Sequence, residues 1–350
     1  MVEPVEISRR KIGPQQPCFI IAEAGVNHNG SVEMALRLVE AAVRAGVDAV
    51  KFQTFRAEQV ISRHAPKAPY QVRTDQSHES QLEMVKRLEL PCEAFRVIQE
   101  ACEKRTILFL STPFDEESID VLVGLGVPAI KIASGELTNL PLLERVARTG
   151  KPVILSTGMS TLGEVQEAVQ VLKRAGNKQL ILLHCVSSYP ADPRDANLRA
   201  MGTLAETFGV PVGYSDHTSG IEVAIAAVAL GACVIEKHFT LDRTLPGPDH
   251  QASLEPSELA ALVRGIRMVE AAFGHGRKEP AASEAGIAAV ARKSLVSSRG
   301  IPAGTRLTES LIAIKRPGTG FPPALRPQLV GKTAKVDIPA DTILTWELLG

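Results

Sequence analysis

The fold is decided by residues 210–240, VPVGYSDHTSGIEVAIAAVALGACVIEKHFT. Two short apolar runs, residues 210–212 and 232–235, flank a stretch rich in alanine, valine and isoleucine that is typical of a helix. This pattern predicts a strand–helix–strand unit, in which the two strands are parallel and usually adjacent. One histidine follows each strand, His217 and His238, so both imidazoles are expected at the same end of a sheet.

Two neighbouring imidazoles are well suited to binding one divalent cation. A histidine at a strand end also often caps or hydrogen-bonds a nearby backbone group, so the spacing alone leaves both interpretations open. Four carboxylates are expected near this pair, where each is a candidate ligand, base or orienting group: Glu23, Asp216, Glu236 and Asp249. Asp249 lies in the proline-rich stretch 245–250, where an ordinary turn residue is an equally good interpretation.

Eight apolar runs alternate with helical patterns in the first 273 residues. The runs are residues 18–22, 48–53, 107–110, 128–132, 153–155, 180–185, 210–212 and 232–235. Most of them are continuously apolar, which indicates strands buried on both faces. Eight such units predict an α/β fold, the (β/α)8 TIM barrel, whose active sites lie at the carboxyl ends of the strands. A doubly wound open sheet is the alternative, but no GxGxxG motif follows any of these strands.

The stretch of residues 54–80 has no clear period and is too long for a plain connection, which predicts a functional loop over one face of the fold. Residues 82–104 predict a helix that Pro91 can interrupt. His184 lies within an apolar run and is expected in the core rather than in a site.

The pattern changes after Phe273, which suggests three segments. Residues 1–273 are predicted to form the TIM-barrel catalytic domain and residues 274–292 a linker. Residues 293–350 contain short β-type runs separated by turns, which predict a small β-rich domain. So short a module has little core of its own. We therefore expect it to pack against its own barrel or that of a partner.

Composition excludes several classes of protein. The 350 residues contain 39 Lys and Arg and 39 Asp and Glu, so no overall positive field favours nucleic acid or a membrane surface. Aromatic residues make up 4%, which disfavours a stacking platform for bases. The five cysteines form no CxxC pair and indicate buried thiols in a reducing compartment. With neither a signal pattern nor a long apolar stretch, the sequence predicts a cytoplasmic protein.

Lys51 and Lys131 each lie inside an apolar strand. A buried ammonium costs several kcal/mol unless it meets an anion, so two of them suggest a shared anionic ligand, although separate internal salt bridges are the alternative. Ser134 and Ser156, each closely followed by glycine, add hydroxyls and open backbone amides at neighbouring strand ends. The residues therefore predict a metal-dependent barrel enzyme for a phosphorylated or carboxylated small molecule. They leave the reaction open.

Several motifs together resemble those of the sialic acid synthase family. They lie at residues 22–30, 50–53, 131–136, 214–218, 236–240 and 246–249. The tail from Ser294, with Lys315-Arg316-Pro317-Gly318, is similar to that family's antifreeze-like (SAF) domain. The resemblance implies a synthase-type transferase, an N-acetylneuraminate or N,N'-diacetyllegionaminate synthase. Such an enzyme condenses phosphoenolpyruvate with an N-acetylated hexosamine to give a nine-carbon 2-keto sugar acid and phosphate.

The resemblance also implies roles for single residues. His217 and His238 would hold a divalent cation, manganese or magnesium, that polarises the sugar aldehyde for attack by C3 of phosphoenolpyruvate. Glu23 and Asp249 complete the expected catalytic set, with Glu23 near the reacting carbons. The expected phosphoenolpyruvate-binding residues are Lys51, Lys131, Ser134, Ser156, Ser187 and Ser215. The expected sugar-binding residues are Gln53, Tyr189, Asp249 and Arg316, the last from the other subunit of a domain-swapped homodimer.

The identity of the acceptor sugar stays open at this point. The family often has asparagine where this chain has Ser187, and segment 317–323 looks closer to enzymes that make legionaminic or pseudaminic acid. The candidates are N-acetylmannosamine and a 2,4-diacetamido-trideoxyhexose. Two other hypotheses compete with the condensation itself. One is a metal-dependent aldolase that uses pyruvate, and the other is an inert barrel that carries a sugar- or ice-binding module.

Overall fold

The computed structural model describes residues 2–74 and 79–350, and the chain divides into two units on either side of the Gly274–His275 bond. The first unit contains strands β1 (Val5–Ile7), β2 (Arg10–Ile12), β3 (Phe19–Gly25), β4 (Ala49–Thr54), β5 (Leu108–Pro113), β6 (Ile130–Ile132), β7 (Val153–Ser156), β8 (Leu180–Cys185), β9 (Val212–Asp216) and β10 (Val234–His238). Its helices are α1 (Val32–Ala45), α2 (Ala57–Val60), α3 (Pro69–Thr74), α4 (Gln81–Leu88), α5 (Cys92–Lys104), α6 (Glu116–Leu125), α7 (Leu140–Arg148), α8 (Leu162–Arg174), α9 (Ala200–Phe208), α10 (Glu222–Ala229) and α11 (Pro256–Ala272). The second unit contains α12 (Ala285–Ala291), β11 (Ser294–Ser297), β12 (Ile312–Lys315) and α13 (Arg326–Leu329).

Strands β3 to β10 form the barrel. In the described part of the chain, these eight strands are parallel and lie in the order β5-β4-β3-β10-β9-β8-β7-β6, with the edge strands β5 and β6 in contact. The first and last strands of the barrel pair along their length, from Val234 opposite Phe19 to His238 opposite Glu23. The predicted TIM barrel is confirmed.

Alternation along the strands places apolar residues on both sides of the sheet. In β3, Phe19 and Ile21 belong to the core inside the barrel, whereas Ile20 and Ala22 face the core between strands and helices. The next inward position is Glu23, which is 2% exposed. The barrel interior is therefore apolar at the amino ends of the strands and polar at their carboxyl ends.

A short amino-terminal hairpin, which the sequence analysis did not predict, closes the apolar end. Strands β1 and β2 pair antiparallel, and their residues Val5, Ile7 and Ile12 pack into the core inside the barrel. Three-residue strands carry too little pattern to be recognised from sequence. This hairpin leaves the carboxyl end as the open side.

Some predicted boundaries differ from the structure. The helical pattern over residues 82–104 forms two helices that separate around Pro91, the break that the sequence had indicated. The stretch 54–80, predicted as an irregular loop over one face, contains the short helices α2 and α3, and its residues 75–78 lie outside the described residues. His217 follows β9 as predicted, but His238 is the last residue of β10.

The second unit is small and β-rich, as predicted. Strands β11 and β12 pair antiparallel, and several further bridges connect its turns. Its core contains Leu295, Ile301, Leu307 and Leu344, each at most 2% exposed. In neither unit does a described helix have the length and apolarity needed to cross a membrane.

Candidate active site

The carboxyl ends of the barrel strands enclose a cavity of about 410 Å³. The candidate carboxylate Asp216 does not line it, whereas all the barrel residues expected from the family resemblance do: Glu23, Lys51, Gln53, Lys131, Ser134, Ser156, Ser187, Tyr189, Ser215, His217, His238 and Asp249. The remaining predicted residue, Arg316, belongs to the second unit, where its Nε donates to the carbonyl oxygen of Ala291 at 3.1 Å. Its role in sugar binding stays a prediction.

A buried carboxylate links the two lysines on the cavity floor. Glu236 Oε2 lies 3.6 Å from the Nζ of Lys51, and Glu236 Oε1 lies 3.6 Å from the Nζ of Lys131. Ser215 Oγ donates to Glu236 Oε1 at 2.9 Å. Lys51 also pairs with Glu23 Oε2 at 2.6 Å. The lysines are thus joined through one carboxylate, not held in two separate ion pairs.

The charges on this floor stabilise one another. Burial raises the pKa of Glu236, but the positive charges of Lys131 and Lys51 outweigh it and bring this pKa below its ordinary value. Burial lowers the pKa of Lys51, but Glu23 and Glu236 outweigh it and leave that pKa raised. Burial dominates for Glu23, whose pKa is raised although Lys51 opposes the shift. The floor therefore carries two ammonium groups against one firmly ionised carboxylate and a second that ionises less readily.

Serine hydroxyl groups lie at the strand ends beside Lys131. Its Nζ donates to Ser156 Oγ at 2.7 Å, and the backbone N–H of Gly158 donates to Ser134 Oγ at 3.0 Å. A Cβ on Gly158 would lie 2.4 Å from Ser187 Oγ and 2.8 Å from Ser134 Oγ, so any larger residue would displace these hydroxyls. An ammonium group and several hydroxyl groups in the same cavity suit a phosphate or carboxylate group.

The two histidine rings lie beside this floor, with their centroids 5.5 Å apart. A metal bound at a ring nitrogen stands roughly 3.3 Å from the ring centroid, so rings that share one cation are at most about 6.5 Å apart. His217 Nδ1 donates to the carbonyl oxygen of Val186 at 2.6 Å, which leaves the lone pair of Nε2, 3.5 Å from Ser215 Oγ, to bind a metal. The Nδ1 of His238 is buried without a hydrogen-bond partner among the described residues, and Asp249 Oδ2 lies 3.9 Å away.

These two residues fit a divalent cation. Burial lowers the pKa of both His217 and His238, so both rings are neutral and offer lone pairs at neutral pH. Among the residues that the structure describes, no three His, Cys, Asp or Glu side chains are grouped so that they could hold a metal ion. A cation here would take the two imidazoles and complete its coordination with water or substrate oxygens.

An aromatic and apolar wall covers the other side of the cavity. The ring of Tyr189 lies 4.2 Å from that of His217 and 5.0 Å from that of Tyr70, centroid to centroid. Helices α2 and α4 add apolar side chains: Val60, Met84, Val85 and Leu88. The sequence analysis predicted a functional loop here but named no residue in it.

Glu236 was expected near the histidine pair, but its place between Lys51 and Lys131 was not predicted. It lies two positions before His238 in the same strand, so both side chains point into the barrel. Alternation along β10 indicates this face but not the two lysine partners. The weaker candidate His184 was expected in the core. It is partly buried, and its Nε2 lies 2.8 Å from the carbonyl oxygen of Ala196.

A closed parallel barrel with a buried polar cavity at the carboxyl ends of its strands defines an enzyme of the TIM-barrel class. The model of the NeuB family matches residues 38–278, and that of the SAF domain matches residues 292–350. The chain belongs to the NeuB family and ends in a SAF domain. The family predicted from the sequence motifs is thus confirmed, and with it a synthase-type transferase.

Several of the similar proteins are named as synthases of legionaminic or neuraminic acids. The chain is 47% identical over 350 residues to the N,N'-diacetyllegionaminic acid synthase of Legionella pneumophila, covering 97% of this chain and 98% of that protein. It is 38% identical to the human N-acetylneuraminate-9-phosphate synthase, over 97% and 95% of the two chains. Among solved structures, the N-acetylneuraminic acid synthetase of Leptospira borgpetersenii matches with a TM-score of 0.74 and 41% identity, over 82% of this chain and 95% of that one.

Proposed function

We propose that this chain condenses phosphoenolpyruvate with an N-acetylated hexosamine to give a nine-carbon 2-keto sugar acid and inorganic phosphate. One observation carries the proposal: two buried lysines and two neutral imidazoles line the same cavity, so an anion and a cation-bound aldehyde can lie side by side. A volume of about 410 Å³ is within the range of small-molecule sites. The names of the relatives support the same class of product.

The lysine end of the cavity would bind phosphoenolpyruvate. Its phosphate and carboxylate are anions that Lys51 and Lys131 can neutralise, with hydroxyl donors from Ser134, Ser156, Ser187 and Ser215. As the C2–O bond breaks, negative charge builds up on the departing phosphate. Ammonium groups already fixed beside it stabilise that charge without reorganisation.

The histidine end would bind the open-chain sugar. A divalent cation, manganese or magnesium, held by His217 and His238 would supply Lewis-acid polarisation of the aldehyde. Gln53, Tyr189 and Asp249 are proposed to contact the sugar. Burial raises the pKa of Asp249 to about 6, so this carboxyl group can accept or donate a hydrogen bond near neutral pH.

The reaction balances with one water molecule. C3 of phosphoenolpyruvate forms a bond to the aldehyde carbon, the aldehyde oxygen becomes a hydroxyl, C2 takes its keto oxygen from water, and the C2–O bond to phosphate breaks. Glu23 forms an ion pair with Lys51, with Oε2 2.6 Å from Nζ, and its Oε1 accepts from Gln53 Nε2 at 3.3 Å, so it contacts a residue of each half of the cavity. We propose that it orients both substrates and holds a proton at Oε1 or Oε2 during the step.

Three finer features belong to the same proposal. Arg316 would reach the sugar from the partner of a domain-swapped homodimer. The reaction would take place in the cytoplasm, since all five cysteines are free and four of them are buried. The acceptor would be a 2,4-diacetamido-trideoxyhexose rather than N-acetylmannosamine, in line with the name of the Legionella relative.

Phosphate release tests the proposal. It is expected only when phosphoenolpyruvate, a divalent cation and an acetamido sugar are all present, and mass spectrometry should find the nine-carbon acid. Lys131→Met should abolish release, whereas Lys178→Met, at an exposed position, should not. Absence of release across a panel of N-acetylated hexosamines would refute the condensation. Equal turnover with pyruvate would favour the aldolase, and unchanged chemistry in His217→Ala would favour the inert barrel.

A further inference from the structure

Directly beside the two histidines, a buried ion pair faces away from the cavity. Lys237 Nζ lies 2.6 Å from Asp216 Oδ2, and the two side chains are 1% and 0% exposed. The backbone N–H and Oγ1 of Thr218 donate to Asp216 Oδ1 at 2.9 and 2.8 Å, and Lys237 Nζ donates to the carbonyl oxygen of Thr218. Neither charged residue lines the cavity.

Strand register explains why the pair and the histidines face opposite ways. Lys237 is the register partner of Asp216, and this is the last pair in the ladder between β9 and β10. The next residues along the chain are His217 and His238. Because successive side chains alternate, the ion pair lies on the outer side of the sheet, while the imidazoles point into the barrel mouth.

The ion pair connects the side chains of the last residue pair in the backbone ladder between β9 and β10. Asp216 and Lys237 connect the ends of β9 and β10 by short charge-assisted hydrogen bonds, which are more directional than apolar contacts. An ion pair buried this deeply seldom stabilises a fold more than apolar residues of the same volume, because desolvation offsets the attraction. Its main contribution is therefore to fix the ends of β9 and β10 relative to each other.

The histidines themselves have few restraints that could replace it. His217 is held through Nδ1 by the carbonyl oxygen of Val186 at 2.6 Å. The Nδ1 of His238 has no hydrogen-bond partner among the described residues, although Asp249 Oδ2 lies 3.9 Å away, and its ring centroid lies 5.5 Å from that of Tyr189. Register with Glu23 holds the His238 backbone on its β3 side, so the pair of Lys237 with Asp216 is what connects it to the strand that leads to His217.

We propose that Asp216 and Lys237 are positioning residues that hold the imidazoles of His217 and His238 at the spacing needed to share one divalent cation. The proposal rests on the metal site assigned under the proposed function. Orienting groups behind a metal ligand typically change metal affinity by about 10- to 100-fold when they are removed. We expect a loss in this range although neither side chain touches the cation.

The test is the affinity of the full-length protein for Mn²⁺ without substrate, measured from the electron paramagnetic resonance signal of free Mn²⁺. The double variant Asp216→Leu/Lys237→Met removes both charges and leaves no unpaired ion. Its Kd for Mn²⁺ should rise about 10- to 100-fold, and the rise in Tm that Mn²⁺ causes should shrink accordingly. If the double variant does not fold, Asp216→Asn, which keeps the acceptor for Thr218, should shift the Kd in the same direction.

A matched control uses another ion pair of the barrel. Arg267 Nη2 lies 3.1 Å from Asp48 Oδ2, and Asp48 directly precedes β4 at the amino end of the strands. Asp48→Leu/Arg267→Met should lower the Tm but leave the Kd for Mn²⁺ unchanged. An equal rise of the Kd in this control would show a general structural effect and overturn the proposal.

The outcomes distinguish a failure of this proposal from a failure of the metal site on which it depends. If the wild type binds Mn²⁺, His217→Ala does not, and the Asp216→Leu/Lys237→Met variant binds with the wild-type Kd, the metal site stands and the positioning pair is overturned. If the wild type and His217→Ala bind Mn²⁺ equally, both the metal site and the positioning role of Asp216 and Lys237 are refuted.

Discussion

Replacement of Glu236 by glutamine tests the electrostatic basis of the cavity. Glutamine has the same shape and can still accept the hydrogen bond from Ser215 that now measures 2.9 Å. The substitution therefore removes the negative charge between Lys51 and Lys131 and little else. We expect the free energy of unfolding to fall, because two buried ammonium groups lose their shared counter-charge.

The distances set the size of the effect. Each Lys–Glu236 separation is 3.6 Å, which corresponds to about 4–5 kcal/mol of attraction at an effective dielectric constant of about 20. Much of this attraction is offset because the variant no longer buries a carboxylate. The net loss expected on removing one partner of a buried ion pair is about 3–5 kcal/mol.

Urea unfolding at neutral pH, with and without inorganic phosphate, measures both parts of the argument. The cavity of Glu236→Gln has one more net positive charge, so phosphate should bind it more tightly and restore part of the lost stability. Glu167→Gln, at an exposed helical position, should change stability by less than about 0.5 kcal/mol. A loss below about 1 kcal/mol in Glu236→Gln, or equal stabilisation of variant and wild type by phosphate, would refute the reasoning.

Three further predictions concern other residues of the barrel. Burial lowers the pKa of His28 to about 4, so the folded protein loses stability as the pH falls from 6.5 towards 4. In urea unfolding, His28→Asn should remove up to about 3 kcal/mol of that loss. Gly158→Ala should weaken phosphate binding at least tenfold by calorimetry, because its Cβ would displace Ser187 Oγ. Tyr189→Ala should weaken Mn²⁺ binding several-fold, because its ring packs 4.2 Å from that of His217.

Each of these predictions has a matched control. The exposed His275→Asn should leave the pH dependence of unfolding unchanged, and an equal effect at both histidines would contradict the linkage argument. Gly163→Ala, where a Cβ meets nothing closer than 3.9 Å, should leave phosphate binding intact. Tyr189→Phe should retain Mn²⁺ affinity, and a loss equal to that of the alanine variant would place the effect in the hydroxyl rather than the ring.

The sequence by itself determined the barrel and most of its site. Eight apolar runs separated by helical patterns specify buried parallel strands, and polar residues at the strand ends then have to meet at one rim. His217, His238, Lys51 and Lys131 were found in this way, because each follows or interrupts an apolar run. The family motifs supplied the likeness to sialic acid synthases, which the comparisons confirm.

Only the tertiary structure decided which of these groups are partners. Glu236 lies between Lys51 and Lys131 because closure of the barrel brings β10 beside β3 and β4 near β6, and alternation gives only the face on which a side chain lies. The pairing of Asp216 with Lys237 likewise depends on the register between two strands. A local pattern encodes burial and direction, whereas contacts between distant segments exist only after the chain has closed on itself.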